Sequence, residues 1–105
     1  MLNETIDKIK QIIIDEYHPD KIILFGSYAR GDYRPDSDID LLIISDKEKD
    51  LPRYKRGLQV RLKLSKVHAA KDLLFYTHDD FNKWKHIRQS FAASVAREGV
   101  NLYEK

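Results

Sequence analysis

Apolar residues fall at helical spacing near the start of the chain and in short continuous runs further on. Residues 3–17 predict an amphipathic helix, with Asn3 as its N-cap and Pro19 beyond its end. The apolar face of this helix consists of Ile6, Ile9, Ile13 and Tyr17. The β-branched run from Lys21 to Phe25 then predicts a strand that is buried on both faces.

The middle of the chain predicts two more strands with a helix between them. Residues 38–45 and residues 72–77 each contain a short apolar run of strand length. Between them, Asp50 and Pro52 are a start signal for a helix that runs to about Lys66. The apolar face of this helix is assigned to Leu51, Tyr54, Leu58 and Leu62.

The last third of the chain predicts a helical region and a final strand. Thr77 and Asp80 form a capping pattern, and apolar residues continue at helical spacing to Val95, a pattern that fits one helix or two. The aromatic residues of this region are expected in the core, with part of the stripe open to a role in a subunit interface: Phe81, Trp84 and Phe91. Gly99 predicts the helix end, and residues 100–103 predict a short strand. With a turn or short helix after the first strand, the order predicts an α/β fold in which helices pack on a small mixed β-sheet.

Length and composition predict one globular domain, residues 1–105. Apolar residues make up 42% of the chain and charged residues 34%, as in ordinary globular proteins. The absence of cysteine excludes a disulfide framework and a thiolate metal site. The first residues lack a signal-peptide pattern, and the apolar runs are too short to span a bilayer. We therefore expect a soluble, cytoplasmic protein that does not associate with membranes.

Two polar motifs stand at the ends of predicted strands. Gly26-Ser27 follows the first strand, where glycine permits close backbone approach and a helix start directs N–H groups at an anion such as phosphate. Arg30, about one turn later, adds a positive charge for that phosphate. Asp38 and Asp40 open the second strand and are expected on one face, because strand side chains alternate. Paired carboxylates suit Mg²⁺, which binds through one or two carboxylates plus substrate phosphates. Together the motifs predict a site for a nucleoside triphosphate with Mg²⁺.

The spacing of these motifs resembles that of a known family. Gly26-Ser27, ten intervening residues and Asp38-Ile39-Asp40 are similar to the pattern of the polymerase-β-like nucleotidyltransferase superfamily. The fuller pattern, Gly-Ser-x-Ala-Arg-Gly followed by Ser-Asp-x-Asp-Leu, resembles its minimal nucleotidyltransferase branch. Members of that branch are often antitoxins paired with all-helical HEPN toxins. The resemblance covers nearly the whole chain and implies the polymerase-β-like nucleotidyltransferase fold.

The resemblance also implies a third site residue and an activity. A third carboxylate is expected at the start of the next core strand, where Asp72 stands. Such enzymes hold two Mg²⁺ ions, or Mn²⁺, on carboxylates equivalent to Asp38, Asp40 and Asp72. They transfer a nucleoside monophosphate to a hydroxyl group and release pyrophosphate. The implied substrates are ATP and a tyrosine of a partner HEPN-type toxin, with a homodimer mate as another source of the acceptor.

Two other functions stay open. The chain could be a non-catalytic antitoxin that masks its partner, although three converging carboxylates are not needed for masking. It could also be a small nucleic-acid-binding domain that uses the cations of residues 50–66, although the net charge of only +2 disfavours this. The same cations could form a solvated face or dock an acidic partner.

Structural roles are open for single residues as well. Ser27 could be an N-cap, Asp38 could cap the preceding turn, and Asp72 could cap a strand edge. Arg30 could pair on the surface with Asp32 or Asp36. The histidines show no metal-ligand spacing and are expected in loops or on the surface: His18, His68, His78 and His86.

Overall fold

Four strands form a mixed sheet in the computed structural model, which describes residues 4–105 except the side chain of Phe91. Asn3, the predicted N-cap, lies outside the described residues. The strands are β1 (Lys21–Phe25), β2 (Ile39–Ile44), β3 (Lys71–Tyr76) and β4 (Val100–Glu104). Their order across the sheet is β3-β2-β1-β4, and β2 pairs with β3 in parallel while the other two pairings are antiparallel. The predicted α/β class with a small mixed sheet is confirmed.

Helices cover both faces of the sheet. They are α1 (Glu4–Tyr17), α2 (Ser27–Arg30), α3 (Leu58–Leu64), α4 (His78–Trp84) and α5 (Phe91–Glu98), and a 3-10 turn spans Arg53–Lys55. The region after Thr77, which the sequence left as one helix or two, is therefore two helices. Within residues 4–105, no helix is long and apolar enough to cross a membrane.

One face of the sheet packs against α1 and α3. As predicted, α1 buries Ile6, Ile9, Ile13 and Tyr17. The strand side chains on this face are Ile22, Leu24, Ile39, Leu41, Ile43, Leu73 and Phe75. They are almost entirely removed from water, so this layer contributes most of the hydrophobic stabilisation.

The opposite face of the sheet packs against α5. Ala92 and Val95 of this helix contact a second apolar cluster that contains Leu42 of β2. Because strand side chains alternate, Asp40 lies on this same face, two residues before Leu42. Asp72 occupies the matching position of β3. The fold thus places two carboxylates at one end of the face that α5 covers.

The predicted helix over residues 50–66 was wrong in extent and in orientation. Gly57 has φ +73°, a left-handed conformation that interrupts the helix, and a Cβ there would lie 2.3 Å from Cζ of Phe75. The α-helix begins only at Leu58 and buries Val60 and Leu64. The residues assigned to its apolar face are exposed instead: Leu51, Tyr54, Leu58 and Leu62.

Side-chain caps mark the starts of α4 and α5. The Thr77 hydroxyl accepts a hydrogen bond from the Asp80 N–H, and the Asp80 carboxylate accepts one from the Thr77 N–H, so the predicted capping box is confirmed. Ser90 caps α5 in the same way at its first turn, and Gly99 ends α5 as predicted. Trp84, which we expected in the core, is 45% exposed because α4 ends there.

Two arginines from the segment predicted as a basic helix are used inside the fold. Arg56 is only 8% exposed and binds three backbone carbonyl oxygens and one carboxylate. Its partners are the carbonyls of Glu48, Leu51 and Phe75 and the side chain of Asp80. Arg61 donates to the carbonyl of Leu73 at 2.9 Å and lies over the Phe75 ring. Neither guanidinium is available as a nucleic-acid contact.

Burial alone would raise the pKa of Asp80, but hydrogen bonds from Thr77 and Arg56 hold it below the ordinary carboxyl value. A carboxylate with a lowered pKa stabilises the fold above its unfolded-state pKa, and that contribution is lost as the pH falls through its folded-state pKa. The Arg56–Asp80 pair therefore stabilises the protein at neutral pH.

We expect Arg56→Met to lower the free energy of unfolding by about 2–3 kcal/mol, because buried carbonyl oxygens lose their donors. The matched control is Arg53→Met, since Arg53 is exposed and only lies over the Tyr76 ring. Its cost should stay below about 1 kcal/mol. Urea unfolding at neutral pH measures the free energy of unfolding of both variants. The difference between Arg56→Met and the wild type should become smaller on acidification, because protonation of Asp80 removes its ion pair with Arg56. Equal losses in the two variants would contradict the structural role of Arg56.

Candidate active site

The end of β1 leads directly into a tight turn at Gly26. This residue has φ +76°, and a Cβ there would lie 2.1 Å from Oδ2 of Asp40. Real Cβ atoms do not approach an oxygen so closely, so the backbone can pass beside the Asp40 carboxylate only as glycine. The close approach joins the two sequence motifs at one place in the fold.

Ser27 is the first residue of α2 rather than its cap, because Gly26 occupies the N-cap position. Its hydroxyl makes no hydrogen bond to any residue within 4–105. The N–H groups of Ala29 and Arg30 donate to the Gly26 carbonyl, whereas the N–H groups of the first two residues of a helix have no partner within the helix. The structural alternative for Ser27, an N-cap, is thus not what the fold shows.

Asp40 and Asp72 are direct neighbours across the parallel strands β2 and β3, because the register pairs their Cα positions. Adjacent strands lie about 4.8 Å apart, and the two side chains point to the same face. Asp72 is exposed and Asp40 is half-buried. Neither forms a hydrogen bond or an ion pair with the described part of the chain. Two like charges therefore stand side by side without an ion-pair partner from residues 4–105.

Asp38 lies just before β2 and is exposed. The turn in front of it is closed by Ser37, whose hydroxyl accepts a hydrogen bond from the Arg34 N–H at 2.8 Å. The capping role considered for Asp38 therefore belongs to Ser37. The Asp38 carboxylate is near enough to raise the pKa of Asp40 by charge repulsion.

The pKa of Asp40 reflects its burial and the charges around it. Partial burial raises the pKa of Asp40 above the ordinary 3.8, and the negative charges of Asp72 and Asp38 raise it further. The Arg30 charge opposes this shift but does not cancel it. The pKa of Asp40 thus responds to the three other charged residues predicted for the site, which places their charges in one region.

Arg30 is held by two carboxylates. Its Nε lies 3.3 Å from Asp32, the surface partner considered from the sequence, and its Nη1 lies 3.8 Å from Glu98. Glu98 is a site neighbour that sequence analysis missed. It ends α5, far from Arg30 along the chain, and no local pattern marks it.

Lys71 and the four histidines have other surroundings. Lys71 donates to the carbonyls of Val67 and Ala69, on the face away from Asp72, as strand alternation predicts. All four histidines are exposed, as expected, and His78 is the first residue of α4. In the described chain, no three carboxylate or imidazole groups are gathered into a ready-made metal cluster.

The donor set nevertheless fits Mg²⁺. Facing carboxylates that lack a salt bridge, one with a raised pKa, are stabilised by a divalent cation. Mg²⁺ takes one or two protein carboxylates and completes its shell with water and substrate phosphates, so it needs no closed protein cage. Asp38, Asp40 and Asp72 are the residues that would hold it.

A glycine turn at the start of α2 thus lies beside paired carboxylates, an arrangement suited to binding phosphate together with a cation. The chain belongs to the nucleotidyltransferase domain family, whose model matches residues 6–101. This confirms the resemblance drawn from the motifs and the enzyme class that it implies.

Two relatives come from Methanocaldococcus jannaschii. The candidate protein adenylyltransferase MJ0604 is 45% identical over 83 residues, which cover 79% of this chain and 77% of that protein. The candidate protein adenylyltransferase MJ0141 is 36% identical over 102 residues, 97% of this chain and 95% of that protein. The likeness to the second relative therefore extends over nearly the full length of both proteins.

Solved structures show the same fold. A candidate nucleotidyltransferase from Sulfolobus solfataricus matches 97% of this chain and 79% of its own, with a TM-score of 0.69 and 18% identity. A chain of a toxin–antitoxin complex crystallised with AMP-PNP matches 98% of this chain and 75% of its own, with a TM-score of 0.65 and 21% identity. The predicted nucleotidyltransferase fold is confirmed.

We expect Gly26→Ala to weaken nucleotide binding in the presence of Mg²⁺ by about tenfold or more, the equivalent of about 1.4 kcal/mol. The added Cβ would displace the Asp40 carboxylate. Gly31→Ala is the matched control, because Gly31 also has positive φ, +87°, yet its Cβ would meet no atom within 4 Å. Alanine causes backbone strain at both positions, but only at position 26 does it displace the Asp40 carboxylate. Comparing the ATP affinities of the two variants by titration therefore separates the effect of strain from the effect on the site. Equal weakening in both would contradict the steric role of Gly26.

A second prediction concerns charge repulsion at Asp40. Because its folded-state pKa is raised, its charge destabilises the fold increasingly as the pH rises through that pKa. Without divalent cations, Asp40→Asn should therefore raise the melting temperature at neutral pH by a few degrees, at roughly 4–8 °C per kcal/mol in a domain of this size. The gain should shrink on acidification.

Mg²⁺ should make the wild-type protein the one with the higher melting temperature. We expect it to raise the melting temperature of the wild type but not that of Asp40→Asn. Asp36→Asn, which removes an exposed carboxylate, serves as the control and should change little. Without divalent cations at neutral pH, a melting temperature of Asp40→Asn below that of the wild type would contradict charge repulsion at Asp40.

Proposed function

We propose that this protein is a Mg²⁺-dependent adenylyltransferase that moves AMP from ATP onto a tyrosine hydroxyl of a partner HEPN-type toxin. Residues 1–105 act as one minimal domain, and a second protein supplies the acceptor. The reaction takes place in the cytoplasm, where ATP is available.

One observation carries the proposal. Asp40 and Asp72 face each other on parallel strands, and the Asp40 carboxylate touches the space where Gly26 turns the chain. A binding module gains nothing from such repulsion, since a partly buried carboxylate beside like charges costs free energy. An enzyme that binds a metal–nucleotide complex recovers that cost when the substrate enters.

The chemistry is an in-line displacement. The acceptor oxygen forms a bond to the α-phosphorus of ATP, the bond from that phosphorus to the bridging oxygen breaks, and pyrophosphate leaves with the electron pair. Asp72 is exposed and unpaired within the described chain, so it takes the proton of the acceptor hydroxyl. Ser27 and the first N–H groups of α2 bind the triphosphate, and Arg30 adds positive charge beside it.

Mg²⁺ bound by Asp38, Asp40 and Asp72, as two ions or replaced by Mn²⁺, would stabilise the charge on the attacking and leaving oxygens. The protein side chains supply the rest of the site. Gly26 keeps the backbone out of the space of the Asp40 carboxylate, and Glu98 and Asp32 orient Arg30.

The choice of AMP and of a protein acceptor rests on relatives. The two Methanocaldococcus relatives are candidate protein adenylyltransferases, and similar solved structures include toxin–antitoxin complexes, one with AMP-PNP. A non-catalytic antitoxin that masks its partner is the competing function, and the experiment below separates the two.

The test is a transfer assay with the protein encoded beside this chain. Both proteins are incubated with Mg²⁺ and ATP, GTP, CTP or UTP labelled on the α-phosphate, and label on protein is measured. We expect transfer from ATP to a tyrosine of the partner, lost on removal of Mg²⁺ by a chelator.

Asp40→Asn and Asp72→Asn should each lower the transfer rate by about 10³-fold or more, since they remove groups that act together. Asp36→Asn is the matched carboxylate control and should transfer at the wild-type rate. Tight partner binding without transfer of any nucleotide, unchanged in Asp40→Asn, would overturn the enzyme and leave masking as the function.

A further inference from the structure

The outer side of α3 and the turn before it expose large apolar side chains. Tyr54 is 77% exposed, Leu58 56% and Leu62 68%. Leu58 and Leu62 are four residues apart on one helix and so lie on the same face, one turn from each other. Single exposed apolar residues are ordinary, but an aligned set on one element marks an interaction surface.

The helix α3 is apolar on two sides. Its inner side buries Val60 and Leu64 against the main core. Its outer side carries Leu58 and Leu62, which are exposed, so the fold buries only part of the apolar surface of this helix. A helix that is apolar around most of its circumference is normally buried on both sides.

A groove continues this surface toward α1. It has a volume of about 330 Å³ and is lined in part by Leu51, Leu58, Tyr17 and the backbone of Gly57. We call this groove together with the outer residues Leu58 and Leu62 the α3 surface. It lies on the side of the sheet that α1 and α3 cover, whereas Asp40 and Asp72 lie on the other side.

Cations outnumber acids around the α3 surface. The groove is also lined by Glu16 and Glu48, and the Glu48 carboxylate accepts hydrogen bonds from the Tyr17 hydroxyl and the Gly57 N–H. From Leu51 to Lys71 the chain contains no acidic residue. Arg56 and Arg61 are engaged by carbonyl oxygens, but Lys55, Lys63 and Lys66 are exposed. The apolar side chains are therefore rimmed by free ammonium groups.

We propose that the α3 surface docks an amphipathic helix of another protein, one with an apolar stripe flanked by Asp and Glu. Leucine pairs at helical spacing fit an apolar helix face, and exposed lysines fit acidic flanks. A second copy of this chain would bring lysine rims against each other. A nucleic-acid backbone would leave Leu58 and Leu62 uncovered. The surface is separate from the carboxylates, so this docking does not depend on nucleotide transfer.

The probe is a fluorescent synthetic peptide of about 20 residues, long enough to form helix in water, with leucines at positions i, i+3, i+4 and i+7, glutamates only beside this stripe and alanines at the remaining positions. Two comparison peptides keep its length: one replaces glutamate by lysine, and one scrambles the leucine positions. We expect saturable binding of the acidic amphipathic peptide alone, weakened by salt.

Leu58→Ser combined with Leu62→Ser should weaken binding by about tenfold or more, and Lys63→Gln combined with Lys66→Gln should weaken it less and flatten its salt dependence. Ile87→Ser, which removes an exposed apolar residue elsewhere, is the control and should bind as the wild type does. Because all substituted side chains are exposed, melting temperatures should stay within a few degrees of the wild type, which confirms that the variants fold.

Three results would overturn the proposal. The first is no binding of the acidic amphipathic peptide, or equal binding of the scrambled one. The second is a dimer in sedimentation that Leu58→Ser with Leu62→Ser dissociates, which would assign the surface to a second copy. The third is binding of a single-stranded RNA oligonucleotide that competes with the peptide.

Discussion

The parallel pairing of β2 and β3 is the constraint on which the site depends. It holds Asp40 beside Asp72 at the spacing of neighbouring strands, where two carboxylates repel. The rest of β2 compensates, because Leu41, Leu42 and Ile43 are fully buried and each contributes about 1.5–3 kcal/mol. Repulsion between partly hydrated carboxylates is weaker than that sum. The strand therefore keeps its register, and the two carboxylates remain side by side.

The position of Asp40 also determines what can precede α2. Its carboxylate fills the space that a side chain at position 26 would occupy, so the turn must be glycine and the helix must start at Ser27. The Gly26 turn and the first residues of β2 are thus not two independent features. Each limits the conformation of the other, and this coupling explains why their spacing along the chain is informative.

Much of this arrangement is predictable from the sequence because it depends on local patterns. The spacing of Ile6, Ile9 and Ile13 placed α1, and strand alternation put Asp40 on one face. The resemblance then supplied Asp72, which the parallel register places opposite Asp40. Identity with relatives shows the family to which the chain belongs. The choice of nucleotide and of acceptor is not contained in these sequence patterns.

The predictions from the sequence that were wrong also have physical causes. Gly57 in a left-handed conformation resets the helical phase, so a pattern counted through it assigned the wrong face to α3. Lysines and arginines look alike in a charge count, yet Arg56 is buried on carbonyl oxygens while Lys55 is exposed. The pairing of Arg30 with Glu98 depends on how α5 returns to the sheet, which no local pattern contains.

The arginines that line β3 have one more consequence. The carbonyls of Ala70 and Tyr76 point toward β2, so those of Leu73 and Phe75 point outward from the edge of the sheet. Arg61 and Arg56 occupy these outward oxygens. An incoming polypeptide cannot extend the sheet there by strand addition, since the acceptors it needs are already taken.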